Sequence, residues 1–156
     1  ISLVMNPRFL HNFAWIPPFL IGLAAVVLGI TWMIVDEPWL LDQAANEATL
    51  QLSFEELFAG DENTHLPDYL TTIYRFFGLW VLGIGLLICA YVLVTFMGTP
   101  RSRATLLGVL GIFLILILYL AVTRIPISPF VDLIYGMIFL YLVSLWASIK
   151  LNRVGN

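Results

Sequence analysis

The chain has 156 residues, of which 61% are hydrophobic and 11% are charged. An average soluble domain has about 45–50% apolar and about 25% charged residues, so this composition excludes a soluble globular protein and indicates a chain that lies in a membrane. The formal net charge is −3, which leaves no basic surface for the phosphates of a polynucleotide, so no nucleic-acid partner is expected.

The first apolar segment spans residues 13–35 and contains no charged residue. About 20 apolar residues are enough to cross a bilayer as a helix, so this segment is predicted to be the first membrane helix. Pro17 and Pro18 lie near its beginning, where the helix is expected to start or to kink. A cleavable signal peptide is the alternative for this segment, but the apolar part of a signal peptide is only about 7–15 residues long.

Residues 36–70 form an acidic segment that differs in composition from the rest of the chain. It contains nine of the ten acidic residues and neither lysine nor arginine. Short helices are predicted near residues 38–50 and 53–59, and Ser53 with Glu56 forms a capping box at the start of the second one. Its apolar side chains are too numerous for a solvated linker, so the acidic segment is predicted to lie as a lid across one end of the membrane helices.

Three further apolar segments complete the set of membrane helices. They are predicted near residues 71–97, 100–124 and 128–150. Thr99-Pro100 and Ser128-Pro129 each place a hydroxyl at a helix N-cap and a proline at the first helical position, which is typical of helix starts. The segments are apolar on every face, which argues against the alternating strands of a membrane barrel. The prediction is an all-α integral membrane four-helix bundle in which residues 1–156 form one membrane domain.

Positive charges are concentrated at one end of the predicted bundle. Five of the seven Lys and Arg residues lie near the termini or in the turn between the second and third helices: Arg8, Arg101, Arg103, Lys150 and Arg153. The positive-inside rule then places both termini in the cytoplasm and the acidic segment on the extracytoplasmic side. The expected location is the plasma membrane of a bacterium or an archaeon.

A second group of charged residues falls near the opposite end of the predicted bundle. Arg75 lies near the start of the second helix, Arg124 ends the third, and Asp132 lies in the first turn of the fourth. An ionisable side chain at membrane depth costs about 2.5–3.5 kcal/mol, so such groups usually pair or face a cavity. The candidate is a lipid- or anion-binding site under the lid, formed by these three residues with Tyr74 and Tyr135 nearby.

The same charges also have purely structural explanations, and both interpretations stay open. A carboxylate in the first turn of a helix is stabilised by the helix dipole, and an arginine at a helix end can extend to the lipid head groups. Arg75 can pair with an acid of the acidic segment, such as Asp68 or Glu56. In either case Asp132 is predicted to be hydrogen-bonded to Arg124, to Arg75 or to the amides of its own first turn.

No motif of a catalytic or cofactor site is present in the sequence. The HExxH, GxSxG, CxxC, phosphate-loop and dinucleotide-binding patterns are all missing. No enzymatic activity, metal or cofactor is therefore expected. Pairs of small residues at helical spacing favour close packing within the bundle or against another subunit. These pairs are Ala25-x-x-x-Gly29, Gly85-x-x-x-Cys89, Ala104-x-x-x-Gly108 and Ser144-x-x-x-Ser148.

Residues 73–87 carry a resemblance to a known family. Their sequence, IYRFFGLWVLGIGLL, places an arginine before a glycine-rich helix, after a long first loop. This arrangement, together with the order of four spans over most of the chain, resembles the small four-helix membrane proteins of the DoxX-like group. The resemblance implies a four-helix membrane fold, and it carries over no catalytic residue.

Two functions fit these patterns. The first is a non-enzymatic accessory or structural subunit that packs its apolar faces against other subunits of a larger membrane complex. The second is a small transporter, or a protein that binds a lipid or an anion under the lid. Membrane lipids are expected partners in both cases.

Overall fold

The computed structural model describes residues 6–154, and every regular element in this range is helical. In chain order the helices are α1 (Pro7–Ile34), α2 (Gln43–Leu50), α3 (Phe54–Phe58), α4 (Leu66–Thr95), α5 (Pro100–Arg124) and α6 (Pro129–Val154), with 3₁₀ turns at Pro38–Asp42 and Asp61–Asn63. Four of the helices, α1, α4, α5 and α6, are long and apolar enough to cross a membrane. The predicted all-α class and the four long apolar helices are confirmed, and the chain has the features of an integral membrane protein.

Helix α1 begins earlier than its apolar segment. Its N-cap is Asn6, whose side chain accepts a hydrogen bond from the Arg8 amide at 3.0 Å. The helix continues through Pro17 and Pro18, which are both buried. The expected start near residue 13, or at the two prolines, is therefore wrong. Apolar content marks the part of a helix that suits lipid, whereas capping groups and backbone hydrogen bonds set its ends.

The other long helices agree with the predicted segments to different degrees. α5 has the predicted bounds, α4 starts at Leu66 rather than near residue 71, and α6 continues to Val154 rather than ending near residue 150. Pro67 lies in the first turn of α4, where a missing amide hydrogen costs no helical bond. The polar first turn of α4 explains why hydropathy placed its start too late.

The caps that the sequence indicated are present in the structure. Thr99 Oγ1 accepts a hydrogen bond from the Ser102 amide at 3.1 Å at the start of α5. Ser128 Oγ accepts one from the Phe130 amide at 3.2 Å at the start of α6. Ser53 begins α3 with the predicted capping box. Because a cap depends on residues two or three positions apart, local sequence was sufficient to find all three.

The acidic segment is ordered by its own contacts, and its short helices lie close to the predicted positions. Trp39, Phe54 and Phe58 form an aromatic cluster with ring centroids 5.6–6.3 Å apart. Glu47 Oε1 accepts hydrogen bonds from the Gln43 side chain at 2.9 Å and from the Phe54 amide at 3.1 Å, which joins α2 to α3. These two hydrogen bonds hold the pKa of Glu47 below its ordinary value.

Helix α1 lies between α4 and α6 and packs along both, while α5 packs mainly on α6. Glycines set the spacing of α1 and α4. A Cβ atom at Gly85 would lie 2.7 Å from the carbonyl oxygen of Gly22, and one at Gly78 would lie 2.8 Å from that of Gly29. These neighbours are backbone atoms, so the two helix backbones are in direct contact.

Helices α4 and α5 meet mainly at one end of the bundle, here called the basic end because it carries Arg101 and Arg103. Tyr91 Oη donates a hydrogen bond to the Ser102 carbonyl oxygen at 3.1 Å. Val92 and Met97 of the α4 end pack in one buried cluster with Leu106 and Leu107 of α5. The opposite end, here called the acidic end, is covered by the acidic segment, and towards it α4 and α5 separate.

Candidate functional site

A cavity of about 490 Å³ lies between α1, α4, α5 and α6, in the half of the bundle nearer the acidic end. Apolar side chains from all four helices form its walls, among them Leu28, Val81, Ile84, Ile117, Leu133 and Met137. Sites for small ligands usually enclose about 300–1,000 Å³ and contain few polar groups, so the size and the lining both suit a mainly apolar ligand.

The cavity is closed towards the basic end and is partly open to the surroundings of the bundle. Ile21, Leu110 and Leu114 form a buried cluster that closes it below. α4 and α5 make few contacts with each other, and side chains of both helices line the cavity. Along α4 the lining runs from Tyr74 to Ile88, a separation of about 21 Å in a helix. Half of the hydrocarbon core of a bilayer is about 15 Å thick, so the lining is long enough for an extended acyl chain.

Polar side chains gather at the acidic end of the cavity. Asp42 and Asn46 of the acidic segment, Tyr74 of α4 and Arg124 of α5 belong to the lining there. The Asn46 side-chain amide donates hydrogen bonds to Tyr74 Oη at 2.9 Å and to the Trp39 carbonyl oxygen at 3.1 Å. The first of these bonds fastens the acidic segment to α4, so the segment covers this end of the cavity.

Asp42 is the buried acid of this site. It is 7% exposed, and its Oδ1 atom has no hydrogen-bond partner within residues 6–154. Burial raises the pKa of Asp42 above its ordinary value, and hydrogen bonding with the Ser128 side chain offsets part of that shift. A buried polar atom without a partner costs free energy of folding, and an acid with a raised pKa beside a cavity is a candidate for contact with a ligand.

A cluster of three aromatic side chains also lines the cavity. Trp32 of α1 is 5% exposed, and its ring lies against the rings of Phe77 and Phe130 with centroid distances of 4.7 and 4.9 Å. All three residues belong to the cavity lining. In the described part of the chain, Trp32 Nε1 has no hydrogen-bond acceptor. The site therefore contains a donor and an acceptor that the protein itself does not satisfy.

Two of the five sequence-predicted site residues, Tyr74 and Arg124, line this cavity. Arg75, Asp132 and Tyr135 are exposed and lie outside the lining. The lining residues of α6 recur at intervals of three or four positions, and residues 132 and 135 fall on other faces of that helix. The rotation of each helix about its axis thus divides the predicted group between the cavity and the outer surface.

The predicted hydrogen bond of Asp132 is not formed. Asp132 is exposed in the first turn of α6, and none of the side-chain hydrogen bonds among residues 6–154 joins it to Arg75 or Arg124. Ser128 provides the cap of this turn through the Phe130 amide. The physical reason is its position, since a carboxylate at a helix N-terminus is stabilised by the helix dipole and needs no cation beside it.

Asp42, Asn46 and Trp32 belong to the site although the sequence pattern did not single them out. Asp42 was one acid among nine in a segment whose charges usually face solvent. A usable signal was spacing: Trp39, Asp42 and Asn46 follow one another at intervals of three and four residues. That spacing puts an indole, an acid and an amide on one side of a short helix. An ordinary amphipathic helix would instead have only apolar side chains on its buried side.

The fold and the cavity together define a helical membrane protein with an apolar cavity between its long helices, covered at one end by a structured acidic segment. In comparisons with known proteins, no family model, no curated protein and no solved structure matches this chain. The resemblance to the DoxX-like group stays a prediction, and the function has to be inferred from the site.

Proposed function

We propose that this chain is a non-enzymatic integral membrane protein that binds a membrane lipid in the cavity beneath the acidic segment. The observation that supports the proposal is the division of the cavity into a long apolar part and a polar end, which is also the division within a lipid. The apolar walls gain dispersion contacts when an acyl chain lies against them.

The polar end offers partners for a lipid head group. The planar guanidinium of Arg124 suits the oxygens of a phosphate, to which it can donate two parallel hydrogen bonds. Tyr74 and Asn46 add a hydroxyl and an amide at the same level. The sequence predicted an anion-binding role for Arg124, and in this proposal the anion is the phosphate of a bound lipid.

The orientation that accompanies this proposal has both termini in the cytoplasm and the acidic segment on the extracytoplasmic side. It is supported by the basic residues at the opposite end of the bundle from the acidic segment. The membrane is proposed to be the plasma membrane of a bacterium or an archaeon. The bound lipid would then come from the outer leaflet, because the cavity lies in the half of the bundle next to the acidic segment.

Lipid analysis of the purified protein tests the proposal. The chain is extracted in mild detergent and examined by native mass spectrometry, together with the variants Ala25→Trp and Ala90→Trp. Ala25 lines the cavity, whereas Ala90 is exposed on α4 outside the lining, so the same substitution fills the cavity in one variant only. The wild type and Ala90→Trp are expected to carry about one lipid per chain, and Ala25→Trp is expected to carry none.

Two results would contradict lipid binding in the cavity. The first is a wild-type protein without bound lipid after mild extraction. The second is an Ala25→Trp variant that folds and retains its lipid as well as the Ala90→Trp variant does. A melting temperature measured for each variant separates a filled cavity from a failure to fold.

A role as an accessory subunit of a larger membrane complex is the second proposal. It is favoured by one of the small-residue pairs: Ala104 and Gly108 are exposed on α5, and a Cβ atom at Gly108 would meet no atom within 4 Å. Small exposed residues allow the close approach of another helix. A second polypeptide at stoichiometric amount in the same native spectra would support this role, and a chain that migrates alone would contradict it.

A further inference from the structure

We infer that the polar end of the cavity selects a phospholipid with a primary ammonium head group, of the phosphatidylethanolamine type. The inference rests on the proposed lipid-binding function and adds the chemical class of the head group. Two side chains of opposite charge, Asp42 and Arg124, line the same end of one cavity, and this juxtaposition carries it.

Asp42 has the properties of an acid that receives a cation. More than nine-tenths of it is buried, and Oδ1 lacks a hydrogen-bond partner in the range that the structure describes. An ammonium group offers N–H donors and a positive charge together, and hydrogen bonds between ionised groups are about twice as strong as neutral ones. A hydroxyl head group would satisfy the oxygen atom but would leave the charge unpaired.

Arg124 supplies the opposite charge at a suitable position. It is the last residue of α5, and Ser128, whose side chain lies near enough to Asp42 to lower the pKa of that acid, follows it by four positions. The turn between α5 and α6 therefore lies beside Asp42, and both charged side chains line the same end of the cavity. A phosphate and an ammonium joined by two carbon atoms have the same arrangement of opposite charges on one small group.

Other common head groups fit this end less well. A choline group carries no N–H to donate to Asp42, and its usual recognition requires open aromatic faces. Trp32 is almost fully buried here, and its ring already lies against Phe77 and Phe130. A glycerol head group leaves the lipid with a net negative charge beside a buried acid, which is unfavourable when that acid is ionised.

A competition between lipids that differ only in the head group tests the inference. The purified, delipidated chain is equilibrated with an equimolar mixture of dioleoyl phosphatidylethanolamine, phosphatidylcholine and phosphatidylglycerol, and the bound species are counted by native mass spectrometry. We expect phosphatidylethanolamine to be enriched about tenfold over each competitor, equivalent to about 1.4 kcal/mol. Asp42→Asn is expected to abolish this enrichment, because the amide carries no charge to pair with the ammonium group.

The matched control removes an acid of the same segment that lies outside the cavity. Asp36 is exposed and absent from the lining, so Asp36→Asn is expected to keep the tenfold enrichment. A further variant, Arg124→Gln, is expected to weaken the binding of all three phospholipids by the same factor, because they share the phosphate. Dioleoylglycerol, which has the same acyl chains and no phosphate, is the reference lipid for this comparison.

Each other outcome decides against the head-group inference. Equal binding of the three phospholipids, or an enrichment that survives Asp42→Asn, overturns it and leaves the proposed lipid-binding function in place. Equal enrichment of the ethanolamine and choline lipids would show that the N–H donors of the head group do not contribute to selectivity. Enrichment of the glycerol lipid would show that Arg124 determines selectivity without a contribution from Asp42. If no lipid binds in the cavity at all, the proposed function fails together with the inference.

Discussion

At the scale of single residues, the burial of Asp42 lowers the stability of the folded state when this acid is ionised. Its folded-state pKa is raised because burial disfavours the charged form. An acid whose pKa is higher in the folded state binds its proton more tightly there, and this difference stabilises the fold. The stabilisation is complete below the unfolded-state pKa and is lost as the pH rises through the folded-state pKa. The charge of Asp42 therefore destabilises the fold at neutral pH, and the proposed ammonium head group would offset this cost by pairing with the charge.

Asp42→Asn is expected to stabilise the lipid-free protein at neutral pH. The gain should be about 1 kcal/mol, because the amide is buried without the charge whose desolvation is unfavourable, and it should shrink as the pH is lowered towards 4, where Asp42 itself becomes protonated. The unfolding free energy in detergent at pH 7.5 and pH 4.5 measures both effects. Asp36→Asn, which changes an exposed acid, should remain within about 0.5 kcal/mol of the wild type. An Asp42→Asn variant less stable than the wild type at pH 7.5 would contradict this account.

Arg103 has a structural role at the basic end. It is 6% exposed, donates through Nη1 to the Met97 carbonyl oxygen at 3.0 Å and through Nη2 to Asn152 Oδ1. One guanidinium thus links the end of α4, the start of α5 and the end of α6. Phe96 and Met97 have φ values of 46° and 49°, so the chain leaves α4 in the left-handed region and turns the Met97 carbonyl towards Arg103.

Arg103→Ala is expected to destabilise the protein by about 2–3 kcal/mol, because the loss of hydrogen bonds to a charged group leaves their acceptors unpaired. Arg101→Ala is the matched control, since Arg101 is exposed two positions away. Unfolding in mixed detergent and SDS micelles gives both free energies. Similar effects of the two substitutions would show that the buried contacts of Arg103 contribute little.

At the scale of elements, the close contact between α1 and α4 fixes which faces of these two helices meet. Gly85 and Gly83 lie two positions apart in α4 but have different surroundings. A Cβ atom at Gly85 would lie 2.7 Å from both the Gly22 carbonyl oxygen and the Val26 amide nitrogen, whereas one at Gly83 would meet nothing within 4 Å. Only the first position depends on the absence of a side chain.

Gly85→Ala is expected to destabilise the protein by about 1–3 kcal/mol, because the helix backbones must move apart to admit the methyl group. Gly83→Ala is expected to be neutral or stabilising by up to about 1 kcal/mol, because alanine has the higher helix propensity. Unfolding in SDS is again the measurement. Equal effects at the two positions would show that the close contact of α1 and α4 does not determine stability.

At the scale of the whole molecule, the charges at the two ends and the sidedness of the membrane should agree. Glu62 and Lys150 are exposed near the acidic and the basic end. In a Cys89→Ala background, a Glu62→Cys variant is expected to react with a membrane-impermeant maleimide in intact cells. A Lys150→Cys variant is expected to react only after permeabilisation, and the reverse pattern would overturn the proposed orientation.

Much of the architecture could be read from local features of the sequence. The apolar segment of residues 13–35 and the three later apolar segments predicted four helices, because a chain that crosses lipid must satisfy its backbone hydrogen bonds internally. Ser53, Thr99 and Ser128 predicted three helix starts because a cap needs only its near neighbours. These features involve residues a few positions apart, so no tertiary information was required.

Only the tertiary structure decided which of the polar residues line one cavity. Arg75 and Tyr74 are adjacent in sequence, yet only Tyr74 lines the cavity, because the rotation of α4 is set by its glycine contacts with α1. Asp42 and Arg124 are far apart in the chain, yet both line the acidic end of the cavity because the acidic segment lies beside the α5–α6 turn. Hydropathy records which residues prefer lipid, but the direction in which a helix turns its polar residues depends on packing against other helices.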